Sequence, residues 1–73
     1  MTLKTRQTGI VKTMHRAKGF AFIRGKDNAD YFMHRTAIDS DAWEALREGT
    51  VVSFVPMAGS GKGPRADNVQ VLD

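Results

Sequence analysis

Five short runs of strand-like alternation divide this chain of 73 residues, and no run is long enough to build a core without the others. "GIVKTM" (9–14) and "KGFAFIR" (18–24) are separated by the polar "HRA", and the turn-forming cluster "GKDNAD" separates the second run from "YFMH" (31–34). "TVVSFV" (50–55) and "NVQVL" (68–72) flank the loop "PMAGSGKGP". Only "DSDAWEALREG" departs from the pattern. Asp41 with Glu44 three positions on forms a capping-box variant, Ala, Leu and Glu favour helix, and Gly49 suits a C-terminal stop. One or two helical turns are therefore expected between the third and fourth strands. An open sheet of this size would leave its edges unpaired, so the expected class is all-β, a closed barrel of five antiparallel strands. Val11, Ile23, Ile38, Val52, Phe54, Val69 and Val71 are assigned to the core. Residues 1–7 are assigned to a flexible basic arm and 8–73 to a single domain.

The chain has no Cys, which removes disulfides, thiolate metal sites and thiol nucleophiles together. His15 and His34 alone do not make a structural zinc site, so neither metal nor cofactor is expected. No segment approaches the ~18 apolar residues of a membrane span, and "MTLKTRQT" lacks an apolar leader region. The expectation is a soluble, cytoplasmic monomer. Lys and Arg outnumber Asp and Glu by 11 to 8, an excess that fits an anionic partner. Its distribution says more: residues 1–26 hold seven Lys or Arg and no acid, whereas Asp39, Asp41, Glu44 and Glu48 face only Arg47 in the helical segment. Those acids read as capping and surface charge, and no nucleophile, base and orienter constellation for an enzyme is visible.

Alternate residues of a strand share a face. In the second run Lys18, Phe20, Phe22 and Arg24 fall on one side and Gly19, Ala21, Ile23 and Gly25 on the other. A pair of Phe usually belongs to a core, but burying this pair would draw Lys18 and Arg24 inward, whereas the small opposite side suits a crowded barrel interior. In the third run Phe32 and His34 share a face. Phe20, Phe22, Phe32 and His34 are thus expected as one exposed patch of rings rimmed by cations. Single-stranded nucleic acid needs both: flat bases to stack and phosphates to neutralise.

"GIVKTMHRAKGFAFI", "DYFMHRTAI" and "EGTVVSFVPMAGSGKGPRADNV" resemble, in order and spacing, the signatures of the cold-shock domain, an OB-type five-stranded barrel that binds single-stranded RNA or DNA. The resemblance runs from about Gly9 to Val71. "KGFAF" also opens the RNA-recognition-motif signature, but that signature has an aromatic where Gly25 stands, and its fold needs two substantial helices. "AGSGKG" lacks the spacing of a phosphate-binding P-loop.

The resemblance implies a binding surface of Lys12 on the first strand, Lys18, Phe20 and Phe22 on the second, and Phe32 and His34 on the third, to which Arg35 is added as a cation beside the rings. Trp43 stands where the family has a loop aromatic, with core packing against Leu46 as the even alternative, and Lys62 and Arg65 flank the "GP" before the last strand. His15 and Arg16 read as a solvated turn. Two departures stand out: the family has Trp then Phe where this chain has Thr13 and Met14, and an aromatic where it has Arg35. At ~1–3 kcal/mol per stacked base, two lost platforms forfeit at most ~2–6 kcal/mol. Met14 keeps apolar contact, and Arg35 recovers part by laying its guanidinium on a base. The implied function is a non-catalytic nucleic-acid chaperone acting on transcription or translation, with weaker and more salt-dependent binding than the family norm. The alternative is an adaptor barrel whose reduced surface binds protein.

Overall fold

The computed structural model describes residues 6–59 and 63–72. The strands are β1 (Gln7–His15), β2 (Phe20–Gly25), β3 (Asp30–His34), β4 (Val51–Met57) and β5 (Arg65–Val71), with one helix, α1 (Ser40–Ala45), between β3 and β4. Short 3-10 turns, Arg16–Lys18 and Arg35–Ala37, leave β1 and β3. The strands close into a barrel in the order β1-β2-β3-β5-β4. Four junctions are antiparallel and the fifth, β3 to β5, is parallel through the single pair Phe32 and Arg65. Parity requires this: directions cannot alternate all the way round a ring of five, so one junction must pair like with like. Ile38 and Val69 add an isolated parallel bridge beyond it.

The alternation of the second and third strands is realised in the packing. Ala21, Ile23 and Met33 are fully enclosed and Tyr31 nearly so, while Phe20, Phe22 and Phe32 stand half-buried on the outside. Six of the seven expected core residues are buried; Val71 is not, being 44 % exposed at the end of β5 where the barrel wall runs out. Gly9 is demanded by close approach, since a Cβ there would stand 2.6 Å from the Arg24 carbonyl oxygen across the β1–β2 pair.

β1 carries an extra residue. Val11 pairs with Ile23 but Thr13, not Lys12, pairs with Phe22, so Lys12 is the bulged residue and the strand's parity reverses beyond it. The Glu48 carboxylate accepts the Met14 N–H at 3.1 Å, satisfying a donor just past the bulge.

Two local expectations need correction. The N-cap of α1 is Asp39, whose carboxylate accepts the Asp41 N–H, and Asp41 is instead the acid of the first turn. Gln7, assigned to the expected arm, begins β1, and the Arg6 guanidinium donates to Ser53 Oγ at 2.9 Å and to the Asn68 carbonyl at 2.7 Å. Residues 1–5 lie outside the described residues. Among the described residues no helix is long and apolar enough to cross a membrane.

Candidate nucleic-acid interface

Register brings the rings together. Phe20 sits opposite His34 and Phe22 opposite Phe32 across β2–β3, and directly opposed outer side chains are contact neighbours. Ring centroids lie 5.4 Å apart for Phe20–Phe32, 5.8 Å for Phe22–Phe32 and 5.9 Å for Phe20–Phe22. Phe22 is edge-on to both of the others, so the three rings brace one another while each keeps part of its surface in solvent.

A fifth ring joins them that the sequence reading assigned to a turn. Because of the bulge at Lys12, His15 emerges on the outer face opposite Phe20, and the two rings meet at 4.6 Å with a 32° tilt. Met14 accordingly points the other way and packs against the core instead of offering a surface contact. Strict alternation from Val11 puts Met14 outside and His15 inside; nothing in the local sequence announces a bulge, so no signal was available.

His34 is exposed, and the backbone N–H of Thr36 donates to its Nδ1 at 3.2 Å. That bond leaves Nε2 to carry the proton of the neutral ring, a donor free for a base acceptor.

The expected cations surround this face in different states. Lys12 Nζ and Arg24 Nε both reach Asp30, at 3.0 and 3.3 Å. The Lys12 ammonium, with Arg24 behind it, holds the Asp30 carboxyl below its usual range against some desolvation. This trio has a net charge of one, so Lys12 offers a phosphate less than its full charge. Lys18 belongs to the 3-10 turn and not to β2; Gly19 follows it in the left-handed conformation at φ +80°. Arg35 opens the second 3-10 turn, and its stem lies over Gly19, where an added Cβ would meet the Arg35 Cδ at 3.3 Å. Arg65 pairs with Phe32, bringing a basic residue beside the ring row from the other end of the chain. Lys18, Arg35 and Arg65 are exposed and hold no ion pair among the described residues.

One expected position is buried away from this face, and one is not described. Trp43 is 5 % exposed and packs in the core, in keeping with its helix-face alternative. Lys62 lies outside the described residues. Arg16, read as solvated, donates instead to the carbonyls of Trp43 at 2.9 Å, Glu44 at 3.3 Å and Leu46, clasping the end of α1. Among the described residues no group of three or more His, Asp or Glu is placed to hold a metal ion.

A closed five-stranded barrel with a row of rings on one sheet face and cations at its margin defines a small OB-type nucleic-acid-binding module. The profile of the 'Cold-shock' DNA-binding domain matches residues 7–72, and the chain belongs to that family. It is 44 % identical over 70 residues to cold shock protein CapB of Pseudomonas syringae pv. tomato, covering 96 % of this chain and all of the relative. The major cold shock protein CspA of Pseudomonas aeruginosa is 43 % identical over the same shares. Cold shock protein CspD of Bacillus subtilis is 44 % identical over 66 residues, 90 % of this chain and 98 % of the relative. The family is non-enzymatic and binds single-stranded nucleic acid, and the function is of the cold-shock type.

Proposed function

We propose that this protein is a cytoplasmic, monomeric nucleic-acid chaperone that holds unpaired RNA or DNA on the outer face of β1–β3 and so acts on transcription or translation. The observation that carries the proposal is the row His15, Phe20, Phe22 and Phe32, whose neighbouring ring centroids lie 4.6–5.9 Å apart and which stays partly open to solvent, with exposed His34 opposite Phe20 across β2–β3. Bases stack on Phe20, Phe22, Phe32 and His34, with His15 extending the row where Thr13 leaves it bare. Lys18, Arg35 and Arg65 neutralise phosphates, and Lys12 does so at the reduced strength its pairing with Asp30 leaves it. No cofactor is needed, because stacking and counterion release favour the open strand.

The test is anisotropy of labelled oligothymidine and oligouridine at two salt concentrations, with Phe20→Ala and Phe32→Ala beside the wild type. Each variant is expected to bind about 5- to 150-fold more weakly, the equivalent of ~1–3 kcal/mol per stacked base. Neutralising about four phosphates gives a slope of log K on log salt near −3. Undiminished affinity in both variants would reject the stacking face. No wild-type binding even at low salt would favour the protein adaptor.

A further inference from the structure

The outer face continues beyond the last ring at Phe22. Arg24 follows it on the outer face of β2 and pairs across the ladder with Ile10 of β1, which pairs in turn with Val51 of β4. Ile10 is 50 % and Val51 43 % exposed. Single exposed aliphatics are ordinary, but these two are register partners and form part of the lining of a groove of about 500 Å³. Lys12, Arg24 and Lys26 line the same groove, and Lys26 holds no ion pair among the described residues.

We propose that this groove is an additional nucleotide subsite, taking the next unit of a strand that runs off the rings past Arg24. The inference rests on the stacking-face reading above. A nucleotide matches the groove on both counts: one flat, largely apolar face for Ile10 and Val51, and an anion for the basic margin. Continuity points the same way, since Lys12 and Arg24 border the ring row and the groove at once. Asp30 offsets one of the three positive charges and leaves Lys26 as the uncommitted partner for a phosphate.

The experiment lengthens oligothymidylates one nucleotide at a time through the ~4–16 range of OB-fold site sizes. It compares the wild type with Ile10→Ser, Lys26→Ala and Phe22→Ala, and thermal melts confirm that each variant is folded. Wild-type affinity should step up once the strand outruns the rings. Ile10→Ser and Lys26→Ala should each remove about fivefold from that step and nothing from the shortest strand that saturates the rings. Lys26→Ala should also make the salt slope shallower by about 0.7, the share of one single-strand phosphate contact. Phe22→Ala should weaken short and long strands alike. If it does while the other two variants keep the full step and slope, the subsite is wrong and the stacking face stands. If Phe22→Ala binds normally, the face itself fails and the subsite with it. Amide resonances of Gly9, Gly25 and Lys26 should move with long strands only. Movement with an acidic, apolar peptide but not with long oligonucleotides would assign the groove to a protein and overturn the proposal.

Discussion

Replacing Arg16 with Ala tests whether the helix clasp is structural. α1 has six residues, and its last turn directs carbonyls outward for partners beyond the helix, that of Trp43 also accepting the Leu46 N–H at 3.2 Å. The Arg16 guanidinium accepts that role from 27 to 30 residues away, donating to the carbonyls of Trp43, Glu44 and Leu46. A hydrogen bond to a charged group is worth ~1.5–3 kcal/mol. Three such bonds do not add, because they share one cation on an exposed side chain. One full bond's worth, ~1.5–3 kcal/mol, is the reasonable loss. At ~4–8 °C per kcal/mol for a domain of this size, the melting temperature should fall by on the order of 10 °C. Arg16→Lys keeps the charge but not the fork, and should recover less than half of the loss. Far-UV circular dichroism gives the melt, and emission of the buried Trp43 follows urea unfolding of the same region. A melting temperature within about 3 °C of wild type would show that the clasp contributes no more than an ordinary surface contact. Oligonucleotide affinity, measured where both proteins are folded, should stay within about twofold; an intact melt with affinity down about tenfold would instead put Arg16 on a phosphate.

Other substitutions probe separate parts of the molecule. Tyr31→Phe removes the 2.8 Å hydrogen bond from the phenol to Asp27 and should cost ~0.5–1.5 kcal/mol in urea unfolding without changing affinity. That bond holds the Asp27 carboxyl below its ordinary value of 3.8. Its stabilisation is present above the unfolded-state pKa and is lost as pH falls through the lower folded-state one; the acid limb of stability should flatten in Tyr31→Phe. Trp43→Ala should destabilise by ~3–5 kcal/mol, as core aromatics do, whereas Trp43→Phe should fold and keep its oligonucleotide affinity within about twofold. A large affinity loss in folded Trp43→Phe would return that residue to the interface. Gly19→Ala places a side chain at φ +80° and against the Arg35 stem, for a loss of ~1–3 kcal/mol that Asn should partly restore.

What the sequence made legible follows from the range of each signal. The two faces of β2 and β3 were readable because period-two alternation is local and survives intact from Phe20 to Ile23 and from Tyr31 to His34. The same rule failed in β1, where one bulged Lys reverses every later side chain and carries His15 onto the ring face. Trp43 stays open between two readings, and Arg16 reads as solvated, for the opposite reason. Their neighbours come from distant segments, and a six-residue helix has too little pattern of its own to say which way an indole turns. Asp39 and Asp41 are both competent caps, and only the backbone path decides between them. Val71 kept its alternation but not its cover: it still pairs with Val52 of β4, but lies beyond Val69, the last described bridge on the other side of β5.

The odd strand count has a consequence for where this barrel is softest. A ring of five alternating arrows is frustrated, like an odd ring of spins, and must carry one mismatched bond. Here the mismatch is the β3–β5 junction, one ladder pair formed by Phe32 and Arg65 with the isolated Ile38–Val69 bridge beyond it. The topological defect therefore lies beneath the proposed docking face, with a ring on one bank and a cation on the other. A nucleic-acid strand that stacks on the first and pairs with the second bridges the defect from outside. On the proposed function, such a ligand would act as a removable sixth element of the wall at the one joint the backbone closes least.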